Sequence, residues 1–493
     1  MPIFVTALKE RPMNLKALAK DTAIYGMSSI VGRFLNYLLV ILYTYKIPAE
    51  SGGYGIVTNL YAYSALLFAL LTFGMETTYF RFASKEGEDA RMVYSTALRM
   101  VGGVSLLFLA AVFIFLRPVS SAMGYAAHPE YIACFAIIAA LDSFQAIMFG
   151  RLRQQRKALK FMGLKMLFIG LNIALNLFIF LLLPKSARGA ELFWRFDGGV
   201  GLIFFANLLC TALVSFGFVP EIKGIAYGFD RALARRMLRY SAPLLLLSLV
   251  GILNQVADKI LFPYLMPGAE GQVQLGIYGA CVKIAMIMTL LTQAFRYAYE
   301  PIVFAGKDKA SPDTLPEGMK YFVLFTIFAW LAVMIWMPVL RHFIQPDYWE
   351  GLKVVPIVMA AEIFMGIYFN LSFWYKLTDQ TWWGAVMSAA GAVTMILINV
   401  LLVPKIGYMA CAWGGFAGYG VAMLMSFFIG RKKYPVHYDL RTMGCFLLLA
   451  ALMYAFFAGV RSSVPLWASL LIGTVLLLAY LLLVYKEIKR NKR

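Results

Sequence analysis

Uninterrupted apolar runs of membrane length follow one another along almost the whole chain. The 493 residues are 61% hydrophobic and 14% charged, and their mean hydropathy is +0.74. A soluble domain is about 45–50% apolar and about 25% charged, so the composition excludes a soluble multidomain enzyme, a disordered chain and a secreted disulfide scaffold. A membrane-spanning helix needs about 20 apolar residues. The runs therefore predict an all-α polytopic membrane protein.

We predict about 14 transmembrane helices with short connections between them. The longest connection on the predicted outer side has 17 residues, from Pro184 to Val200, so we expect no separate soluble domain. The predicted spans are 22–47, 54–75, 100–116, 131–149, 161–183, 200–219, 241–266, 276–298, 320–340, 353–375, 382–403, 408–429, 441–459 and 465–485.

The distribution of basic residues predicts the orientation of these spans. The chain has 45 Lys and Arg against 25 Asp and Glu, a net charge of +20. In a polytopic protein such an excess collects in cytoplasmic loops, so it does not indicate a nucleic-acid partner. If both termini are cytoplasmic, the cytoplasmic segments hold 32 basic residues and the outer loops hold 9. We therefore predict that the N-terminus and the C-terminus are both cytoplasmic.

A Gly-x-Tyr-Gly motif occurs twice. It follows the first span at residues 52–55 and the seventh span at residues 276–279, an offset of 224. Glu76 and Glu300, which close the second and eighth spans, are separated by the same 224 residues. Gly and Tyr also collect at membrane interfaces for other reasons, but three features at one offset favour an internal repeat. Six spans separate the copies, so the halves are parallel repeats, which is an architecture of transporters.

The repeat sets the predicted domain organisation: two six-helix lobes related by a parallel pseudo-repeat, followed by a C-terminal helix pair. The predicted parts are a cytoplasmic N-terminal segment at 1–21, an N-lobe at 22–219, a cytoplasmic linker at 220–240, a C-lobe at 241–429, helices 13 and 14 at 430–485 and a basic cytoplasmic tail at 486–493.

Ionisable side chains inside the spans are the first candidates for a functional site, because each costs about 2.5–3.5 kcal/mol on insertion scales. Arg33 lies near the middle of the first span, on a polar stripe that also contains Asn36. Such a stripe faces water or protein. It is either the wall of a hydrated cavity or a helix-packing face with Arg33 paired internally, and an arginine at its centre favours the cavity.

Spans seven and eight carry a second set of polar residues. Asp258 and Lys283 lie at equal depth in the predicted helical hairpin, so they either pair with each other or line the cavity. Arg296 and Glu300 lie one turn apart and can also pair. The candidate substrate-binding residues of a central cavity are Arg33, Asn36, Asn254, Gln255, Asp258, Lys283, Gln293 and Arg296.

Acidic residues in or beside the spans could couple transport to an ion or could hold a basic neighbour, and the sequence leaves both readings open. No spacing of His or Cys residues predicts a metal site, and we expect no cofactor. The candidate coupling or ion-pair acids are Glu76, Asp142, Asp258, Glu300 and Glu362.

The span pattern and the repeated motif resemble the multidrug/oligosaccharidyl-lipid/polysaccharide (MOP) exporter superfamily, and within it the polysaccharide transporter or oligosaccharide-lipid flippase family. Stretches 54–57, 77–82, 257–261 and 293–301 carry the resemblance. It implies two lobes that form a V, a central cavity lined by helices 1, 2, 7 and 8, and alternating access in the bacterial inner membrane. Arg33 and Arg296 match the cationic cavity residues of such flippases.

Our first hypothesis is therefore a transporter, not an enzyme, that flips a polyprenyl-diphosphate-linked oligosaccharide. Arg33 would bind the diphosphate with help from Lys283 or Arg296, and the membrane lipid would hold the tail. A polysaccharide polymerase or ligase is a further expected partner. The alternatives are a peptidoglycan lipid-precursor flippase, a cation-coupled multidrug exporter and, third, a membrane glycan polymerase or ligase. The expected hydrogen-bonding partners of the sugar hydroxyls are Asn36, Asn254, Gln255 and Gln293.

Overall fold

The computed structural model describes residues 37–304 and 314–491, and every regular element in these two ranges is helical. Twelve helices are long and apolar enough to cross a membrane, and a thirteenth span is present if a pair bent by 96° counts as one. These thirteen coincide with predicted spans 2 to 14, so the prediction of an all-helical, multi-span protein is confirmed. The predicted first span is described only from residue 37, so the total of fourteen stays a prediction.

The long helices are joined by short turns and by brief 3₁₀ or π segments, in agreement with the short predicted connections. In chain order the α-helices are α1 (37–46), α2 (Gly53–Thr72), α3 (Met75–Ala83), α4 (Ala90–Ile114), α5 (Leu116–Ala122), α6 (Pro129–Gln154), α7 (Ala158–Leu177), α8 (Ala187–Arg195), α9 (Val200–Phe216), α10 (Val219–Ile222), α11 (Arg231–Leu265), α12 (Ala269–Phe304), α13 (Thr314–Leu340), α14 (Val355–Leu371), α15 (Phe373–Leu377), α16 (Trp382–Ile406), α17 (Met409–Lys433), α18 (Leu440–Val460) and α19 (Leu466–Asn491).

The chain forms two compact units. Of the described residues, unit 1 comprises 37–42 and Ser64–Leu249, and unit 2 comprises Tyr43–Tyr63, 250–304 and 314–491. The division falls inside three continuous helices, α1, α2 and α11. The predicted lobes were drawn from the repeat and have other limits; they stay a prediction.

Unit 1 is built around an aromatic core between α3, α4, α6 and α10. The rings of Tyr79 and Tyr94 lie 5.9 Å apart, and those of Phe149 and Phe218 lie 4.7 Å apart. The Tyr94 hydroxyl donates to the backbone oxygen of Glu221 at 3.0 Å. Large rings bury much apolar area, and the Tyr hydroxyl satisfies a carbonyl at a helix end. This core fixes the ends of four helices relative to one another.

A short amphipathic helix, α8, occupies the longest predicted connection of unit 1. It buries Phe193 and leaves Trp194 73% exposed. At the bend between α8 and α9, Asp197 adopts a left-handed φ of 50°. Its carboxylate accepts a hydrogen bond from the Tyr131 hydroxyl at 2.7 Å and lies 3.2 Å from the His128 ring. These contacts with the start of α6 hold the bend in place.

The C-terminal helix pair α18 and α19 packs against α13 in unit 2. The Tyr480 hydroxyl donates to the Leu324 oxygen at 3.2 Å. The buried ammonium of Lys320 lies 3.4 Å from Asp439 and 3.8 Å from Glu487. One lysine of α13 therefore ties the start of α18 and the end of α19 to the same point.

The two Gly-x-Tyr-Gly motifs pack against each other inside unit 2. A Cβ atom on Gly55 would lie 1.9 Å from the backbone oxygen of Gln272, and one on Gly276 would lie 2.9 Å from the Gly55 nitrogen. A Cβ atom on Gly279 would lie 2.3 Å from the Thr58 hydroxyl oxygen. Small residues let helix backbones approach closely in membranes. The repeated motif is thus the crossing point of α2 and α12.

Candidate functional site

The predicted site residues are distributed over both units, and two of them, Arg33 and Asn36, lie outside the described residues. The ionisable ones of unit 2 form two groups. One group is a charged cluster around Asp258, and the other is a groove around Arg296 and Glu300. Glu76 and Asp142 belong to unit 1.

Asp258 is the centre of the charged cluster in unit 2. Its buried carboxylate contacts the Lys259 ammonium at 2.9 Å and accepts a hydrogen bond from the Tyr278 hydroxyl at 2.8 Å. The Lys259 ammonium also donates to the backbone oxygen of Gln255 at 3.1 Å. The cation that contacts Asp258 is thus its chain neighbour Lys259, and not Lys283, the partner considered from the sequence.

Glu362 and Lys283 complete this cluster. Glu362 of α14 lies beside Thr289 of α12 and within electrostatic reach of Lys259. Lys283 also lies within electrostatic reach of Lys259. Two acids and two lysines therefore share one region of unit 2, and their formal charges cancel. Compensated charges are the arrangement expected for ionisable groups at membrane depth.

Asn254 joins helices in the structure. Its side-chain amide donates to the backbone oxygen of Ser388 at 2.9 Å, and its own backbone oxygen accepts a hydrogen bond from the Tyr419 hydroxyl at 3.1 Å. These bonds connect α11 to α16 and α17. Gln255, one residue further on, is exposed, and Gln293 of α12 is half-buried.

The groove lies between the ends of α12, α14 and α15, and Glu300 holds two cations at it. The Arg296 Nε atom lies 3.3 Å from one carboxylate oxygen of Glu300, and the Lys376 ammonium lies 3.4 Å from the other. The predicted pairing of Arg296 with Glu300 is therefore present. Both distances exceed the 2.7–2.9 Å of a strong charge-assisted hydrogen bond. A single carboxylate thus holds two cations loosely, and the three groups carry a net charge of +1.

Aromatic rings line the same groove and orient its cations. The Arg296 guanidinium lies 5.0 Å from the centre of the Phe369 ring, and the Lys376 ammonium lies 5.2 Å from that of Phe373. Cations over ring faces are held by the negative charge of the π-system. The other rings of the lining are Phe295, Tyr299 and Phe322.

Two polar atoms of the groove lining have no hydrogen-bond partner among the described residues. They are the Thr292 hydroxyl and the Asn370 side-chain oxygen, and both residues are more than nine-tenths buried. An unsatisfied buried polar group costs about 1–3 kcal/mol. A ligand hydroxyl or a water molecule would remove that cost. The groove therefore offers cations, ring faces and open hydrogen-bonding positions together.

Lys376, Thr292 and Asn370 could not be identified from the sequence as parts of one site. Lys376 stands just after a span, where basic residues are expected for topology alone. Thr292 and Asn370 are ordinary polar residues of membrane helices. Only the packing of α12 against α14 brings the three together.

The two acids of unit 1 have basic neighbours as well. Glu76 forms an ion pair with Arg153, whose guanidinium lies 5.0 Å from the Phe80 ring centre. Asp142 accepts a long hydrogen bond of 3.5 Å from Thr211 and is influenced by the charge of Lys165. Glu76 and Glu300, the pair at the 224-residue offset, thus both hold basic side chains.

A family model described as "Polysaccharide biosynthesis protein" matches residues 18–301, which agrees with the resemblance seen in the sequence. No curated protein matches the chain.

Solved structures share the fold at low identity. One described as "Lipid II flippase MurJ, inward closed conformation" is 14% identical, with a TM-score of 0.72 over 94% of this chain and 99% of that one. An inward-facing "multidrug resistance MATE family transporter of the MOP superfamily" is 16% identical, with a TM-score of 0.61 over 81% and 94%.

Proposed function

Because the chain belongs to the polysaccharide biosynthesis protein family, within the MOP exporter superfamily, we propose that it flips a polyprenyl-diphosphate-linked oligosaccharide across the bacterial cytoplasmic membrane. The observation that carries the proposal to specific residues is the groove in which Arg296 and Lys376 share Glu300. Translocation would proceed by alternating access, and both termini would be cytoplasmic.

The diphosphate would bind by exchange with Glu300. A guanidinium presents two parallel donors to two phosphate oxygens, whereas Arg296 meets Glu300 through its Nε atom at 3.3 Å. A diphosphate carries more charge than one carboxylate and offers more acceptors. It would therefore take Arg296 and Lys376 from Glu300, and the net charge of +1 favours the entry of an anion.

The groove has a free volume of about 10 Å³, so the sugar would meet its buried half only after alternating access opens it. The Thr292 hydroxyl and the Asn370 oxygen would form hydrogen bonds with sugar hydroxyls, because both atoms lack a partner among the described residues. Aromatic faces such as that of Phe369 would pack against the sugar ring. The side-chain amide of Asn254 already donates to Ser388. We therefore assign the hydrogen bonds with sugar hydroxyls to Thr292 and Asn370 and not to Asn254.

The charged cluster would serve a different purpose. Asp258 is already neutralised by Lys259, and Glu76 by Arg153, so we assign these acids to structure. Glu362 lies beside a threonine and stays our candidate for coupling to an ion. This assignment separates residues that hold helices from residues that act during transport.

The test of the groove is export of the glycan by variants of Arg296 and Lys376. A hydrogen bond to a charged group contributes about 1.5–3 kcal/mol, so Arg296→Ala and Lys376→Ala should each lower the rate of flipping in proteoliposomes about 10- to 100-fold. Arg431→Ala removes an exposed arginine outside the groove and should leave the rate unchanged. Wild-type flipping by the Arg296→Ala/Lys376→Ala double variant would remove the groove from the mechanism.

The same proteoliposomes distinguish the candidate substrates. A peptidoglycan lipid precursor or a cationic drug is offered in place of the lipid-linked oligosaccharide. Transport of the drug but not of the lipid-linked oligosaccharide would overturn the proposed function and favour a multidrug exporter. Transport of the peptidoglycan precursor alone would keep the lipid-diphosphate chemistry and change the glycan.

Arg33 stays in the proposal from the sequence alone. Arg33→Ala should abolish export while expression and the melting temperature stay normal, and Arg33→Lys should restore it only in part, because a point charge replaces a two-pronged donor. Normal export by Arg33→Ala at normal expression would exclude Arg33. A lower melting temperature, restored when a neighbouring acid is also neutralised, would make it structural.

A further inference from the structure

A second basic site lies in unit 2, far along the chain from the groove. Where α13 ends and the connection between α18 and α19 passes, there is an open cavity of about 400 Å³. This is within the range of about 300–1,000 Å³ typical of small-ligand sites. Met337, Leu352 and Leu466 supply apolar lining, and Arg341 and Arg461 supply two guanidinium groups. The cavity thus combines an apolar wall with two positive charges.

The charge of this cavity is uncompensated, unlike that of Lys259 and Lys320 in the same unit. No carboxylate lines it, and neither guanidinium forms an ion pair with an acidic side chain of residues 37–304 or 314–491. Asp347 and Glu350 stand in the neighbouring 3₁₀ segment, but neither belongs to the lining. By contrast, Lys320 of the same helix α13 has two acidic partners.

Arg341 is held in place before any ligand arrives. Its guanidinium stacks on the Trp349 ring at 4.2 Å, and the Trp349 indole N–H donates to the Arg341 backbone oxygen at 2.9 Å. The Nε atom of Arg341 is buried and has no hydrogen-bond partner among the described residues. A fixed, buried donor without an acceptor is a position that a ligand oxygen can fill. Arg461 is exposed and lines the same cavity, so its guanidinium is accessible to such a ligand.

We propose that this cavity binds a phosphate-bearing anion through Arg341 and Arg461. Arginine is suited to phosphate because its planar donors match two oxygens at once. Basic pockets between membrane helices bind anionic headgroups in this way, and the apolar wall would receive the start of an acyl chain. On the predicted topology the cavity opens toward the outer leaflet. Two sources carry the chemistry: the headgroup of an anionic phospholipid and soluble phosphate.

The test is thermal unfolding of the full-length protein in phosphatidylcholine nanodiscs, with either phosphatidylglycerol or inorganic phosphate added. Each addition is titrated against wild type and Arg341→Gln/Arg461→Gln. The control Arg188→Gln/Lys405→Gln removes two exposed positive charges elsewhere on the same predicted side. We expect the ligand to raise the wild-type melting temperature. The half-saturating concentration should rise about tenfold or more in the cavity variant and stay unchanged in the control.

The experiment distinguishes a lipid headgroup, soluble phosphate and the absence of an anion site. Stabilisation by phosphatidylglycerol alone identifies a lipid site, and equal stabilisation by inorganic phosphate identifies a soluble anion. No stabilisation of wild type by either, or equal stabilisation of wild type and the cavity variant, would overturn the proposal. If loss of the stacked Arg341 unfolds the protein, Arg461→Gln alone decides, because Arg461 is exposed. Transport is not measured, so failure here leaves the proposed function standing.

Discussion

The crossing of α2 and α12 gives the most direct test of the fold, through Gly55→Ala. The added Cβ atom would stand 1.9 Å from the backbone oxygen of Gln272 and must retreat by about 1.1 Å to reach even the 3.0 Å limit of real contacts. Overpacking of this kind costs about 1–3 kcal/mol, occasionally more. No side chain can move aside, because the obstacle is backbone. The two helices must therefore separate.

Gly444→Ala is the matched control. Gly444 lies in the first turns of α18 and a Cβ atom there meets nothing within 4 Å. Replacing glycine by alanine inside a helix otherwise stabilises it by about 0.5–1 kcal/mol. We therefore expect opposite signs for the two variants and a gap of about 1.5–4 kcal/mol. Thermal unfolding in one detergent, with expression measured by size-exclusion chromatography, shows the difference.

A rescue experiment distinguishes a steric clash from a general effect of alanine. The Cβ atom of Gly279→Ala would meet Thr58 side-chain atoms at 2.3 and 2.8 Å. Truncation by Thr58→Ala removes both atoms and should restore the stability lost in Gly279→Ala. The same truncation should not rescue Gly55→Ala, which meets the Gln272 backbone. Equal stability of Gly55→Ala and Gly444→Ala would refute the close crossing.

Two further predictions concern topology and acid stability. Single cysteines placed at Lys157, Arg235, Arg188 and Lys405 should react with an impermeant reagent in intact cells only at the last two positions; labelling at all four would contradict the predicted orientation. Burial raises the pKa of Asp439, but hydrogen bonds from Thr442 and Lys320 outweigh it and hold the pKa below its usual value. The resulting stability is present at neutral pH and is lost as the pH falls below about 4. Asp439→Asn should therefore reduce the fall of the melting temperature with decreasing pH in that range. If the melting temperature of the variant fell with pH as in the wild type, the Asp439 carboxylate would not be the source of the acid sensitivity.

Span positions were predictable from the sequence, but short elements were not. A run of about 20 apolar residues has one stable form in a bilayer, so the thirteen spans of the described residues fall where predicted. Helix α8 has nine residues and is too short to register as a span. Its position depends on the contact of Asp197 with Tyr131 and His128, which lie in a different predicted segment.

Side-chain partners were harder to predict, for two physical reasons. Asp258 and Lys283 lie at equal depth in the predicted hairpin, whereas adjacent residues of a helix do not normally face each other, so Lys283 was the partner considered for Asp258. Lysine has a flexible four-carbon stem, and Lys259 folds back so that its ammonium meets Asp258 at 2.9 Å. The groove depends on contacts between helices far apart in sequence, such as that of Lys376 with Glu300. No periodicity of one helix contains that information.

The balance of charge separates structural from functional cations in unit 2. Lys259 and Lys320 lie within 4 Å of buried or partly buried carboxylates, and removing either would strand an acid. Arg296 and Lys376 share a single carboxylate, that of Glu300, so part of their charge is free for an incoming anion. A membrane protein bears the cost of a partly compensated cation only where water or a ligand supplies the remaining interaction. We therefore propose substrate contacts at the groove and a structural role for Asp258 with Lys259.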